Sequence, residues 1–188
     1  MDLTTSRLLL RPWRDADLSA FAQLNDDPAV MEFLPRRLSR DESDATAARI
    51  RTAIENRGWG FWAVEIKGPG HTAAPFIGFV GLSVPSFEAH FTPCVEIGWR
   101  LAKEHWGCGY ASEAAAASLR FAFENLKLQQ IVAFTVPLNK RSMRVMERIG
   151  MSRDPADDFE HPKLPPGHPF RPHVLYRVSR SAWLEREA

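Results

Sequence analysis

The stretch Trp106-Gly107-Cys108-Gly109-Tyr110-Ala111 is the part of this chain best equipped to hold an anion. It lies between an apolar run and the start of an alanine-rich helical pattern. Paired glycines let a backbone turn tightly and present its amides without Cβ obstruction. The first N–H groups of the helix that follows lack intrahelical acceptors and stand at the positive end of its dipole. Together these features suit a phosphate or pyrophosphate, although a plain strand-to-helix turn would use the same glycines. A Walker loop is excluded, because no Gly-Lys-Ser/Thr is present. A dinucleotide fingerprint needs a third small residue where Ser112 stands and an acid about 20 residues on. Val132 and its neighbours offer no such acid.

Upstream, Glu96 is a lone carboxylate in the otherwise apolar run Cys94–Leu101 (CVEIGWRL), where partial burial would raise its pKa. Arg100 shares its strand face by the two-residue repeat, so a structural Glu96–Arg100 salt bridge is an equal reading. Cys108 stands where a helix N-terminus could lower a thiol pKa. No base or orienting group accompanies it in sequence, and a loop or packing role is the simpler reading.

The surrounding pattern supplies elements to carry these groups. Arg7–Trp13 reads as a first strand, and Asp15 as the N-cap of a helix bearing Leu18, Phe21, Ala22 and Asn25. Ser39 and Glu42 form a capping box for a second helix running to about Asn56 and stopped by Gly58. Phe61–Lys67 and Phe76–Val84 suggest an antiparallel pair across a loop containing Gly68-Pro69-Gly70. Tyr110–Leu126 reads as a long helix with Ala111, Ala115, Leu119, Ala122 and Leu126 as its buried stripe. Ile131–Val136 has the near-continuous apolar pattern of a strand covered on both faces. Asn139 then caps a helix with Met143, Met146 and Ile149 inward and Gly150 at its C-terminal boundary. His161–Pro172 holds five prolines and should be a loop. His173–Ser179 is a last strand, with a short helix at Ala182–Glu187. The strand–helix–strand unit Cys94–Val136 makes its two strands parallel within a mixed α/β sheet.

Composition sets the class. The 188 residues predict one domain, 1–188, with the 45% apolar and 25% charged content of an ordinary soluble globular protein. Net charge is +1, from 24 basic against 23 acidic residues, so no footprint for nucleic acid or an anionic membrane is expected. No signal peptide or membrane span is predicted. Cys94 and Cys108 form no metal-ligand or disulfide framework, and a reducing cytoplasm is the expected compartment.

The glycine stretch resembles motif A of the GNAT superfamily of N-acetyltransferases, R/Q-x-x-G-x-G/A, with Gly109 and Ala111 on its last two fixed positions. Trp106 stands where that motif has Arg or Gln. Val136–Met151 (VPLNKRSMRVMERIGM) is similar to the family's motif B. The opening SRLLLRPWRDADL and the strand VEIGWRL resemble the subgroup of ribosomal-protein N-terminal acetyltransferases, and the likeness runs from about Thr5 to Ser179. It implies a single mixed, mostly antiparallel sheet of about seven strands, with a splayed central parallel pair and flanking helices. It also implies acetyl-CoA as donor. Ile97, Gly98, Trp99, Arg100 and Leu101 would line the coenzyme arm. Trp106, Gly107, Cys108, Gly109, Tyr110 and Ala111 would hold its pyrophosphate, and Asn139 and Ser142 would meet the arm.

The implied chemistry is direct attack of a neutral amine on a thioester. A free α-amino group has a pKa near 8, so about a tenth is already neutral at pH 7 and a base need contribute only modestly. Glu96 is the first choice for that base, ahead of Glu88, His90, His168 and His173. A backbone N–H near Trp99 would serve the oxyanion. The family often places a tyrosine acid where Met146 stands here, and the chain's only tyrosines are Tyr110 and Tyr176. Ser142 is therefore the expected proton donor to the leaving thiolate. By position, Glu32, Phe33, Trp59, Phe87, Glu88 and His90, with Phe170 and His173, would contact the acceptor, and carboxylates among aromatics suit a cation with an apolar body. The expected acceptor is a peptide N-terminus or a small amine, and the expected state a monomer or homodimer. A non-catalytic acyl-CoA sensor and a different phosphate-binding enzyme are the rival readings.

Overall fold

The computed structural model describes residues 1–68 and 75–187. Most of the Gly/Pro loop expected after Lys67 lies outside the described residues. The chain forms two compact units: Met1–Leu82 with Gly98–Ser118, and Ser83–Ile97 with Leu119–Ala188. The strands form one mixed, mostly antiparallel sheet in the order β1-β2-β3-β4-β5-β6-β9-β7, with β8 on β9. They are β1 (Leu3–Thr4), β2 (Leu8–Arg11), β3 (Phe61–Ile66), β4 (Phe76–Ser83), β5 (Glu96–Leu101), β6 (Gln130–Thr135), β7 (Ser152–Arg153), β8 (Phe159–Glu160) and β9 (Pro172–Ser179).

In the first unit α1 (Asp17–Asp26) and α2 (Arg40–Arg57) pack with β3 and β4. The capping box of α2 forms: Ser39 Oγ accepts from the Glu42 amide at 3.3 Å, and Glu42 Oε2 from the Ser39 amide at 2.9 Å. Gly58 ends the helix at φ +77°, a conformation only glycine adopts without strain. Ser43, Ala47, Ile50 and Ile54 are its buried stripe, and the three apolar members join Trp13, Phe21, Leu24, Ala63 and Phe79 in one core.

The start of α1 differs from expectation. Ala16, not Asp15, occupies the N-cap, and Asp15 Oδ1 accepts from Arg51 Nη1 at 2.7 Å. The reason lies in β2. Arg11 holds the Asp17 carboxylate through two bonds of 2.7 Å and also reaches Glu65 Oε1 at 2.7 Å. That buried fork, together with the Arg14 amide on Asp17 Oδ2, sets the entry of the helix. Arg11 and Asp17 are 3% and 2% exposed, so Asp17→Ala strands a buried cation with one remaining carboxylate. The expected loss is about 3–5 kcal/mol of unfolding free energy in a urea titration. A loss below about 1 kcal/mol would mean the pair is open to water.

In the second unit β6 pairs antiparallel with β9 from Gln130↔Ser179 to Thr135↔Val174. Ile131, Val132 and Ala133 are fully covered, as their unbroken apolar run predicts. β5 meets β6 in parallel at Glu96↔Val132. Asn139 caps α4 (Lys140–Arg148), whose Met146 is 2% exposed, and Gly150 follows at φ +87°. α5 (Arg180–Glu187) continues directly from β9.

The long helix expected over Tyr110–Leu126 is shorter. α3 spans Tyr110–Arg120, and a wider π-type turn, Phe121–Asn125, completes it. Leu126 N–H reaches back to the Phe121 carbonyl at 3.2 Å, and Arg180 Nε takes the Phe123 carbonyl at 3.1 Å. Ala115, Leu119 and Ala122 of the expected stripe are buried, while Ala111 and Leu126 are half-buried.

Candidate active site

β5 ends at Leu101, a single 3-10 turn Lys103–His105 follows, and the glycine loop then leads into α3. Trp106 folds back, its Nε1 donating to the Leu101 carbonyl at 2.8 Å, which ties the loop to the strand end. Gly107 and Gly109 take φ of +78° and +82°. Among the described residues no protein acceptor takes the amides of Gly107 through Ser112; the first bond after the loop is Glu113 N–H to the Gly109 carbonyl at 3.0 Å. A Cβ at position 107 would meet nothing within 4 Å, and one at 109 only Arg7 Nη2 at 3.4 Å. The Ser112 hydroxyl is buried with no hydrogen-bond partner among the described residues. Consecutive unpaired amides at a positive helix end are an arrangement that suits an anion seat. The Cys108 thiol is exposed and lies 3.6 Å from the Trp106 carbonyl.

The seat is buttressed from the N-terminal segment. Glu113, in the first turn of α3, accepts from Thr5 Oγ1 at 2.6 Å, Ser6 Oγ at 3.1 Å, Arg7 N at 2.9 Å and Arg7 Nε at 2.6 Å. Burial pushes its pKa upward, but the donors from Thr5, Arg7 and Ser6 win and hold it below the usual carboxylate range. Arg7 Nη1 also donates to the Cys108 carbonyl at 2.9 Å, and the guanidinium lies 4.7 Å from the Tyr110 ring centre.

In the second unit, Glu96 is half-buried at the start of β5. Loss of water pushes its carboxyl up to about 7, against the opposing pull of a Ser83 hydroxyl bond and the Lys163 charge. The same surroundings push the Cys94 thiol up to about 11, through burial first and the Glu96 charge second. Arg100, the alternative partner for Glu96, instead donates to Asn25 Oδ1 at 2.6 Å and lies 5.4 Å from the Phe79 ring centre. Burial pushes Arg100 down to about 10. Ile97 and Leu101 are 3% and 5% exposed, Trp99 is half-buried, and Gly98 is backed by the Phe61 ring.

At the head of α4, Asn139 Oδ1 accepts from the Ser142 amide at 3.1 Å and its Nδ2 donates to Thr135 Oγ1 at 3.1 Å. The Asn139 amide is thus largely engaged in holding the helix start. The half-buried Ser142 hydroxyl takes no hydrogen bond among the described residues. Met146, at the family's tyrosine position, belongs to the core. Tyr176 donates to Glu147 Oε1 at 3.2 Å, and burial, reinforced by Glu147, raises its pKa.

The expected acceptor residues divide between the units. Glu32 is exposed and Phe33 half-buried in the turns after α1, and Trp59 lies 5.8 Å beneath Arg57. In the second unit Phe87 packs into a ring cluster with Phe91, Phe134, Phe159 and His161. Glu88 is exposed, and His90 Nε2 lies 3.5 Å from Asp157 Oδ1. His168 Nδ1 accepts from the Phe170 amide at 3.1 Å, and His173 Nδ1 lies 3.2 Å from the Arg171 carbonyl. Burial lowers the His173 pKa against that bond. Sequence reasoning missed Arg7, Glu113, Ser83 and Lys163. None carries a local signal, because each acts across a fold contact.

Residues 7–152 match the family model described as "Acetyltransferase (GNAT) domain". The chain is 31% identical over 183 residues to the uncharacterized N-acetyltransferase YnaD of Bacillus subtilis, covering 97% of this chain and 99% of that protein. It is 29% identical over 194 residues to the FsC-acetyl coenzyme A-N(2)-transacetylase of Aspergillus fumigatus, covering 98% and 79%. Among solved structures, a GNAT-family acetyltransferase from Bacillus anthracis superposes with a TM-score of 0.77 at 26% identity, covering 96% and 99% of the two chains. Among the described residues no helix is long and apolar enough to cross a membrane, and no group of three or more His, Cys, Asp or Glu could hold a metal ion.

Proposed function

The chain belongs to the GNAT acetyltransferase family, and from that premise we propose that it transfers the acetyl group of acetyl-CoA to a primary amine by direct attack. The observation that carries this reading is the open run of unpaired amides from Gly107 through Ser112. It suits the diphosphate of coenzyme A. The coenzyme supplies an activated thioester. The chain's residues supply the rest: Glu96 takes the proton of the amine, directly or through water, at a pKa close to working pH. A backbone N–H near Trp99 would serve the developing oxyanion. The Ser142 hydroxyl would donate a hydrogen bond to the departing thiolate and relay to it a proton that water returns to the serine, while Glu96 gives the amine's proton back to water.

Residues 1–188 act as one acetyltransferase domain in this reading, working in the cytoplasm as a monomer or homodimer. Ile97–Leu101 and Asn139 attend the coenzyme arm. The acceptor is a peptide N-terminus or a small amine, contacted by Glu32, Phe33, Trp59, Glu88 and His90, with Phe87 shaping its surroundings from within the ring cluster. The opening SRLLLRPWRDADL supports kinship with the ribosomal-protein acetyltransferases. A relative whose name specifies N(2) transacetylation supports a nitrogen acceptor.

Acetyl-CoA at 100 times its dissociation constant should stabilise the fold by about 2.7 kcal/mol, read as a rise in melting temperature. ATP and NAD at the same concentration should give none. Thiol release with a panel of amines then identifies the acceptor. A melting curve indifferent to acetyl-CoA would defeat the reading.

A further inference from the structure

Resting on the acetyl-CoA reading, we propose that Arg7 is a positioning residue of the pyrophosphate seat, acting on the ligand through the Cys108–Gly109 peptide. The peptide is trans, so its C=O and N–H point in opposite directions. Arg7 Nη1 holds the Cys108 carbonyl at 2.9 Å. The Gly109 N–H is thereby turned away from Arg7, into the group of amides that have no protein acceptor.

The guanidinium is itself fixed. Its Nε lies 2.6 Å from Glu113 Oε2, its Nη2 also reaches that oxygen at 2.6 Å, and the Arg7 carbonyl is held by the Lys67 amide at 2.8 Å. A planar fork can bridge a carboxylate and a carbonyl in one geometry, which a single ammonium cannot do. The pairing has a second effect. Glu113 places a carboxylate in the first turn of α3, where it would repel an incoming diphosphate. Arg7 neutralises that charge beside the seat while leaving the amides uncovered. Its side chain keeps 48% of its exposure, against 17% for Glu113, so the carboxylate is the shielded partner.

The test compares wild type, Arg7→Met and Arg7→Lys in the full-length protein. Calorimetric binding of coenzyme A is measured against that of acetyl-pantetheine, which lacks the diphosphate. Arg7→Met should weaken coenzyme A by roughly tenfold to a hundredfold, the range for a charge-assisted anchor, and leave acetyl-pantetheine within about twofold. Arg7→Lys should remain weakened for coenzyme A; this variant carries the comparison should Arg7→Met fail to fold. Unchanged coenzyme A affinity in the variants would overturn the proposal, as would equal weakening of both ligands. Full rescue by Lys would overturn the fork in favour of a point charge. Wild-type protein that binds no coenzyme A would overturn the acetyl-CoA reading itself, which the first titration detects.

Discussion

Glu96→Gln should lower kcat/KM by about tenfold near pH 7, because about a tenth of an α-amine is already neutral there and the base need supply only the rest. The pH profile makes the expectation specific. In the wild type the rate should climb through pH values around 7, where burial sets the Glu96 carboxyl. In the variant that limb should vanish, leaving the acceptor amine's own titration, near 8 for an α-amine. Stability should move the other way. Burial sets the folded carboxyl at about 7, against an ordinary value of 4.5 in the unfolded chain. Folding therefore binds a proton between those values, and wild-type stability falls as pH rises through that window. The contribution is full below pH 4.5 and lost above 7. Glutamine removes the dependence, so at pH 8 the variant should be the more stable protein, by at most ~3 kcal/mol. A variant within about threefold of wild-type kcat/KM, with the same pH profile, would remove Glu96 from the mechanism.

Gly109→Pro should abolish measurable acetyl-CoA binding. Gly109 sits at φ +82°, whereas proline locks φ near −65° and carries no N–H. The substitution thus deletes one amide of the seat and reorients its neighbours. The site is a half-buried surface turn, so a cooperative unfolding transition should persist and separate lost binding from lost fold. Gly109→Ala keeps the amide but strains the left-handed conformation, at a cost of about 1 kcal/mol, and should weaken binding only several-fold. Calorimetry with acetyl-CoA on the three proteins checks both. Wild-type affinity in the proline variant would mean that the diphosphate sits elsewhere.

What could be read from the sequence was what short-range chemistry determines. Ser39 with Glu42, Gly58, the paired glycines at 107 and 109, and Asn139 ahead of Ser142 all act within a turn of where they stand, and each appears where expected. The apolar run over Ile131–Val136 likewise announced a strand covered on both faces. Misreadings arose where a distant partner decides. Asp15 has the composition of a cap, but the Arg11 fork on Asp17 starts the helix one residue later, with Ala16 at the N-cap. The end of α3 follows no local breaker; Arg180 takes a carbonyl from the turn that replaces it. Phe87 illustrates a different ambiguity, because a loop aromatic reads the same in sequence whether it meets a ligand, packs with rings such as Phe91 and Phe159, or does both. Glu96 stood out as a carboxylate among apolar neighbours, but nothing nearby in the chain pointed to Ser83 or Lys163 as its companions.

Arg7 and Glu113 are 106 residues apart in the chain. Translation proceeds at about 5–20 residues per second, so roughly 5–20 s pass between the synthesis of the two. During that interval the N-terminal segment is made but its guanidinium has no carboxylate to close upon. Under the acetyl-CoA reading, the contact that braces the glycine loop cannot close until Glu113 has been made. The brace is thus a long-range contact, and its formation carries the closure entropy of a loop of that length.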